Sequence, residues 1–405
     1  MSLFTHLSRP VVISLLTGAL LTGSAAAQRI PAASPEDVGM STARLAQVRP
    51  VILEGVEKRA FPGAVLVVVR KGRLVWKEAY GYSWWSPVEK KMEVNHVFDL
   101  ASITKPVATS TSLLLLVERG RIRLWDKVSD FVPEFTAFTG KDGRPGADVR
   151  IWHLITHTSG LPAYTEGDEV EKRFGVSCTR EELVRYIAGL TKLNPPGEVF
   201  RYSCLGYITL AVIIERISGK NLALFAEENI FRPLGMQRTG FNPPPDLLPL
   251  CVPTEYWKHS PLVGVVHDPL ARLQGGISGN AGLFSDAEDL AVYAQMILNR
   301  GVFRGVRILS PLTVERMTEI YPQTAFSGRG LGWDLDSSYS TNGGDLFGPE
   351  GYGHTGYTGT SVWIDPETET VVVLMTNRVH PDDRGSVVSL RSRVANVVAA
   401  AIVDR

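Results

Sequence analysis

Three cysteines in 405 residues, Cys178, Cys204 and Cys251, can close at most one disulfide, so the chain is no disulfide-stapled scaffold. Cys178 with Cys251 is the candidate pair, set against three buried thiols. A charge surplus is missing as well, because 42 basic side chains meet 42 acidic ones. Without excess lysine and arginine to neutralise phosphates or to hold an anionic surface, nucleic-acid and lipid-surface roles have little support. No H-E-x-x-H and no Cys/His ligand cluster occurs, which leaves His153 and His157, four apart, as a weak metal pair. A turn role for His157 before Gly160-Leu161-Pro162 is preferred, and His267-Asp268 reads as a hydrogen-bonded pair. No G-x-S-x-G is present, so the serine elbow of α/β-hydrolases is excluded. A composition of 44% hydrophobic and 21% charged residues excludes disorder and a coiled coil.

A membrane-length apolar run is also lacking. The run from Val11 to Leu21 follows a single charge, Arg9, and precedes Ala25-Ala26-Ala27, a small-residue cleavage pattern before Gln28. Thr17, Gly18, Thr22 and Gly23 dilute it below the roughly 18 apolar residues that an anchor needs. Residues 1–27 therefore read as a secretory signal, with no cysteine after the cut to carry lipid. The expectation is a periplasmic or secreted chain, residues 28–405, without a membrane span.

Along that chain, Ser41 caps a helix toward Arg59 that Pro50 should kink or divide. Ala64 to Arg70, Lys71-Gly72 and Arg73 to Tyr80 read as a hairpin, and from Ser102 the pattern turns helical through Leu116 to Gly120. Helices are expected at 181–190, 205–218, 222–230 and 287–299, with a proline-rich loop from Asn242 to Pro253. Strands return at 361–365 and 371–376, before a last helix over about 386–402. Strands at both ends imply one sheet built from distant segments, about 41–100 and 350–405, with a helical region at roughly 102–300 inserted.

Of 12 lysines only Lys105 has a serine three places earlier, which puts Ser102 and Lys105 on one helical face. An amine so placed can take the hydroxyl proton if partial burial keeps it neutral. Tyr202-Ser203-Cys204 sits at a loop-to-helix junction after Pro196-Gly197, where a phenol can face a cleft. Gly353-His354-Thr355-Gly356 precedes a strand, and its glycines let a substrate approach backbone donors.

In this order the three motifs resemble the S-x-x-K, Y-x-N and K-T-G or H-T-G of the penicillin-recognising serine hydrolases, especially the class C β-lactamase-like branch. His157 to Pro162, Asn194 to Arg201, Pro233 to Met236 and Ala281 to Phe284 look like further landmarks, spreading the resemblance over nearly the whole mature chain. Asp99 to Ser102, His354 to Thr360 and Thr376 to Pro381 look closest to secreted muropeptide amidases. The resemblance implies an α/β (α+β) fold of the β-lactamase and penicillin-binding transpeptidase type, an antiparallel sheet flanked by helices. It implies Ser102 as nucleophile, Lys105 and Tyr202 sharing base and proton-shuttle duty in an undecided order, and His354 orienting the phenol. Backbone N–H groups of Ser102 and Tyr357 would form the oxyanion hole, and Cys204, Thr355, Gly356 and Arg378 would contact substrate. No cofactor or metal is implied, and the partner is a small-molecule or muropeptide substrate.

Two positions depart from the pattern. Cys204 stands where the family has asparagine, and a thiol replaces an amide poorly. His354 takes the place of a lysine common in β-lactamases, removing a fixed charge for carboxylates and leaving Arg378 as the candidate anchor, against a surface pair with Asp382 or Asp383. The expected function is an amide or ester hydrolase acting through an acyl-enzyme on cell-wall muropeptides. The alternatives are a carboxylesterase, a β-lactamase or DD-peptidase, and a catalytically silent peptidoglycan-binding or sensor protein. Ser278-Gly279-Asn280 is expected as a landmark loop, Cys204 as a packed thiol rather than a nucleophile, and Tyr82, Trp84 and Trp85 as core or as a cleft wall.

Overall fold

The computed structural model describes residues 29–404 except 141, 142, 145, 176 and 177. The expected signal at 1–27 lies outside the described residues.

Strand Gly63–Arg70 carries the run Ala-Val-Leu-Val-Val-Val, buried along its whole length, and this fixes its place near the centre of a sheet. Alternation divides the run between two faces. Val65, Val67 and Val69 join the larger core, whereas Ala64, Leu66 and Val68 join a smaller one on the other side. Strand Thr370–Thr376 divides its side chains in the same way and pairs antiparallel with the first, Ala64 opposite Thr376. The hairpin partner Arg73–Trp84 follows the Lys71-Gly72 turn, and every pairing in the sheet is antiparallel. From one edge the six strands run Tyr352–Thr355, Ser361–Asp365, Thr370–Thr376, Gly63–Arg70, Arg73–Trp84 and Lys90–Lys91.

Helices Val48–Glu57 and Val388–Ala400 cover the smaller core, and helix Ala287–Leu298 lies against the sheet on the other face. The expected N-terminal helix is indeed divided: Ser41 caps Thr42–Leu45, and a second helix starts at Val48 with Pro50 in its first turn, where a missing N–H costs nothing. The helical region between the strands holds Arg180–Ala188, Cys204–Ser218 and Leu222–Ala226, and this last helix continues as a π-turn through Phe231. The layered sheet with inserted helices agrees with the expected α/β class. No helix among the described residues is long and apolar enough to cross a membrane. Cys178, Cys204 and Cys251 are free thiols, so the candidate Cys178–Cys251 bridge does not form.

Candidate active site

The segment carrying Ser102 begins under constraint. Ala101 has φ 45°, a left-handed conformation that costs an L-residue roughly 1–2 kcal/mol. Buried Asp99 holds it there, accepting the Ala101 N–H at Oδ1 (2.8 Å) and the His267 N–H at Oδ2 (2.7 Å). Ser102 then lies in a single 3₁₀ turn, followed by a π-turn over Lys105–Ser110 and an α-helix over Thr111–Glu118. Pro106 lies at the start of the wide turn and lacks an N–H, and its carbonyl is satisfied by the hydroxyls of Thr111 (2.9 Å) and Tyr293 (3.2 Å).

The buried Lys105 Nζ donates to Ser102 Oγ (2.9 Å) and to the main-chain oxygen of Asn280 (3.0 Å). Burial alone disfavours this ammonium, but nearby negative charge at Cys204 and Tyr202, if either ionises, acts in the opposite direction. The net direction is upward, driven by the charge these two groups carry when ionised; with both neutral, burial is the largest influence and favours the neutral amine. Gly279 explains how Asn280 reaches the lysine: a Cβ there would lie 1.9 Å from the Tyr207 carbonyl, so only glycine lets this loop pass against helix Cys204–Ser218. Ser278 Oγ fixes the Asn280 side chain by donating to Oδ1 (2.7 Å). The Ser-Gly-Asn loop, expected as a landmark, thus touches the proposed base directly.

Tyr202 enters from the turn before that helix. Its ring stacks on His157 at 4.3 Å and lies 4.9 Å from Lys105 Nζ. His157 accepts the Ser203 N–H at Nδ1 (3.0 Å) and has φ 61° outside the helix Ile151–Ile155, whereas His153 accepts the Arg150 N–H at its own Nδ1 (2.7 Å). Nδ1 of each ring is thereby occupied, and the two rings lie against different neighbours, His157 on Tyr202 and His153 on Trp152. Cys204, the first residue of the helix, lies near Lys105 and Asn280, and burial raises its thiol above the usual range. Buried Asn280 Nδ2 has no hydrogen-bond partner among the described residues. Cys204 is not among the residues lining the cavity.

The third motif arrives on strand Tyr352–Thr355. Gly356 packs so tightly that a Cβ would lie 2.2 Å from Thr360 Oγ1 and 2.4 Å from the Leu100 carbonyl. Thr358 Oγ1 donates to the Asp99 carbonyl (2.6 Å) and Thr360 Oγ1 to the Leu100 carbonyl (3.2 Å), so the loop carrying Tyr357 is tied to the segment carrying Ser102. His354 donates from Nδ1 to the Thr355 carbonyl (2.9 Å), which leaves Nε2 as an acceptor when the ring is neutral. Burial, with Arg329 and Lys105 nearby, holds its pKa well below the usual histidine range.

Ser102, Tyr202, His354, Thr355, Gly356, Tyr357 and Arg378 share the wall of one cavity of about 600 Å³. Arg378, however, is engaged: Nη1 bonds Asp383 Oδ1 (2.6 Å) and the Gly385 carbonyl (3.0 Å), and Nε bonds the Tyr357 carbonyl (2.8 Å). The surface-pair alternative with Asp383 therefore describes it better than a free carboxylate anchor. Tyr82 and Trp85 line a separate depression, and Trp84 packs against His380 (5.9 Å), so none of the three walls the Ser102 cavity. Sequence reasoning gave no role to Asp99, although it quoted the residue within a landmark. It missed Arg329 and Arg391 in the cavity wall, because nothing in their local sequence distinguishes them from surface arginines.

Comparison with known proteins agrees with this geometry. The β-lactamase family model matches residues 48–395. An N-acetylmuramyl-L-alanine amidase of Bacillus subtilis (strain 168) is 32% identical over 376 residues, 85% of this chain and 83% of that one. A putative D-alanyl-D-alanine carboxypeptidase of Salmonella schwarzengrund is 31% identical over an alignment of 430 positions, gaps included, that covers 98% of both chains. Among solved structures, EstCE1, a hydrolase with promiscuous acyltransferase activity, superposes with TM-score 0.72 at 24% identity, covering 88% of this chain and 99% of that one. The octameric penicillin-binding protein homologue from Pyrococcus abyssi gives 0.64 at 24% identity, over 82% and 73%. A serine segment braced by the Thr358–Thr360 loop, a lysine on its serine and a family match across most of the length lead to one conclusion: the chain is an enzyme belonging to the β-lactamase family of serine hydrolases.

Proposed function

We propose that the protein is an exported hydrolase that opens amide or ester bonds of cell-wall muropeptides through an acyl-enzyme on Ser102. The observation that carries the reading is the 2.9 Å bond between Lys105 Nζ and Ser102 Oγ at the wall of a cavity shared with Tyr202 and His354. Ser102 Oγ attacks the carbonyl carbon and passes its proton to the coupled Lys105–Tyr202 pair, which delivers it to the departing amine or alcohol. The oxyanion develops between the backbone N–H groups of Ser102 and Tyr357, and water then releases the acid. His354 Nε2, an acceptor without a partner among the described residues, is available to a substrate N–H.

Support for muropeptides comes from the two relatives named for wall chemistry, whose alignments span most of this chain. The leader-like residues 1–27 support export to the periplasm or beyond. Esterase chemistry is the second reading, favoured by the absence of a lysine at position 354 and by the fold shared with EstCE1. Mass spectrometry of products from a muropeptide panel, with neutral esters in parallel, separates them. Cleaved muropeptides support the first reading, whereas turnover confined to esters rejects it.

A further inference from the structure

Outside the cavity, around the ring of Tyr357, three side chains from separate loops converge: Glu255, His267 and Asp383. Each offers one atom able to ligate a metal, and these atoms all lie within 4.8 Å of one another. His267 is 8% exposed, and its buried Nε2 has no hydrogen-bond partner among the described residues. Glu255 Oε1 stands 3.3 Å from that nitrogen without closing a hydrogen bond to it. Two donors take up a separation of this size around a tetrahedral ion whose bonds are roughly 2.0–2.2 Å long. A buried imidazole nitrogen left unpaired costs the fold free energy, and a bound cation would remove that cost.

The three loops are fixed by bonds that leave these side chains out. The Thr254 carbonyl accepts from His380 Nδ1 (3.0 Å) and the Tyr256 N–H donates to the Pro381 carbonyl (3.0 Å), so both neighbours of Glu255 are tied to the segment that carries Asp383. The His267 N–H is held on Asp99. Asp383 accepts from Arg378 Nη1 on Oδ1 (2.6 Å) and from the Tyr357 hydroxyl on Oδ2 (2.7 Å). Each carboxylate oxygen has a further lone pair, so these bonds orient Asp383 as outer partners orient a metal ligand, and leave it able to bind. Glu255 and Asp383 are only part-buried, which gives an ion its way in. The donor set narrows the choice of ion. Imidazole suits zinc and its first-row neighbours, whereas calcium and magnesium take oxygen ligands throughout.

We propose that Glu255, His267 and Asp383 bind one Zn²⁺ or a chemically similar first-row divalent ion, with water completing its coordination. The ion would hold His267 against the ring of Tyr357 and Asp383 against its hydroxyl, fixing the loop beside Ser102. That consequence for catalysis rests on the hydrolase reading, whereas the binding itself does not.

Calorimetry with zinc chloride on the chelator-treated protein at pH 7.5 tests the site without turnover. One equivalent should bind with a Kd below about 10 µM, and Ca²⁺ and Mg²⁺ at least about a hundredfold more weakly. Glu255→Gln and His267→Gln should each weaken zinc tenfold or more; the second keeps the main-chain bond to Asp99. Co²⁺ in place of zinc should show the strong visible bands of a four- or five-coordinate ion, lost in the same variants. No binding tighter than about 100 µM in the parent protein overturns the site and shows His267 and Glu255 to be an ion pair only, with no variant needed. Binding that survives both substitutions places the ion elsewhere, on a thiol for instance, and overturns the assignment. Zinc binding as expected with no labelling of Ser102 would leave the metal site standing and reject the hydrolase reading.

Discussion

Asp99 accepts the N–H of Ala101 at 2.8 Å and thereby holds in place the left-handed residue that presents Ser102. Both oxygens of Asp99 are in use, the second on the His267 N–H, and an asparagine can offer only one. Asp99→Asn is therefore expected to lose about 1–3 kcal/mol of stability with a fall in kcat. Ala101→Gly should stay within about 1 kcal/mol of the parent, because relief of the left-handed penalty offsets glycine's greater chain entropy. Denaturant unfolding decides this, and a much weaker Ala101→Gly protein would reject the strain argument.

Covalent chemistry at Ser102 is the next expectation. A fluorophosphonate should add one phosphonyl group, and Ser102→Ala should not be labelled. Hydrolysis should fall by about three decades or more in Ser102→Ala and strongly in Lys105→Ala. Intact-mass measurement settles the point; a label on Cys204 in the Ser102→Ala protein would argue against the assigned nucleophile.

Cys204 lies beside Lys105 and Asn280, where the family pattern has an amide. Cys204→Asn supplies an oxygen that can accept from both neighbours, so amide hydrolysis should rise several-fold, about 1 kcal/mol in the barrier. Burial raises the thiol pKa, so alkylation of Cys204 by iodoacetamide at pH 7 should be slower than that of free cysteine. A lower rate in Cys204→Asn, or rapid alkylation, would contradict this account.

Acid should destabilise the fold through its buried histidines. His153 is lowered from 6.5 to about 3 by burial, reinforced by Arg150. Between those values the unfolded chain binds a proton that the native ring refuses, so stability is full above pH 6.5 and declines as pH falls, by up to about 1.4 kcal/mol per unit. His267, whose net shift is upward, acts in the opposite direction, so comparison with a variant is needed. Replacing His153 by asparagine should reduce the slope of unfolding free energy between pH 5 and 6 by about one proton. An unchanged slope would reject His153 as the source.

Arg378 ties Asp383, Gly385 and the Tyr357 carbonyl together beside the proposed oxyanion donor. Arg378→Ala should slow acidic and neutral substrates by similar factors and lower Tm, because a misplaced Tyr357 N–H affects every acyl transfer. A loss confined to carboxylate substrates would return Arg378 to the role of anchor.

Much of this arrangement was legible in the chain. The valine run at 64–70, the Lys71-Gly72 turn and the distant apolar strand at 371–376 each carry local information, and the structure places them side by side. Ser102, Lys105, Tyr202 and His354 were legible as motifs because their spacing repeats a family pattern. The π-turn at Lys105–Ser110 was not legible, since Pro106 at the start of a helix is ordinarily harmless. Arg329 was silent for another reason: whether an arginine is buried beside a cavity depends on Asp334, Ser337 and Tyr202, which only the tertiary fold brings around it.

The brace between Thr358, Thr360 and the segment just before Ser102 crosses about 260 positions of chain. During synthesis the serine and its lysine are made early, yet the loop that holds them arrives near the end. Until strand Thr370–Thr376 docks beside Gly63–Arg70, the loop carrying Thr358 and Thr360 has no sheet to hold it against Asp99 and Leu100. Bond-breaking competence should therefore appear abruptly and last, and a ribosome-bound or truncated chain ending before about residue 370 should carry its chemistry unarmed.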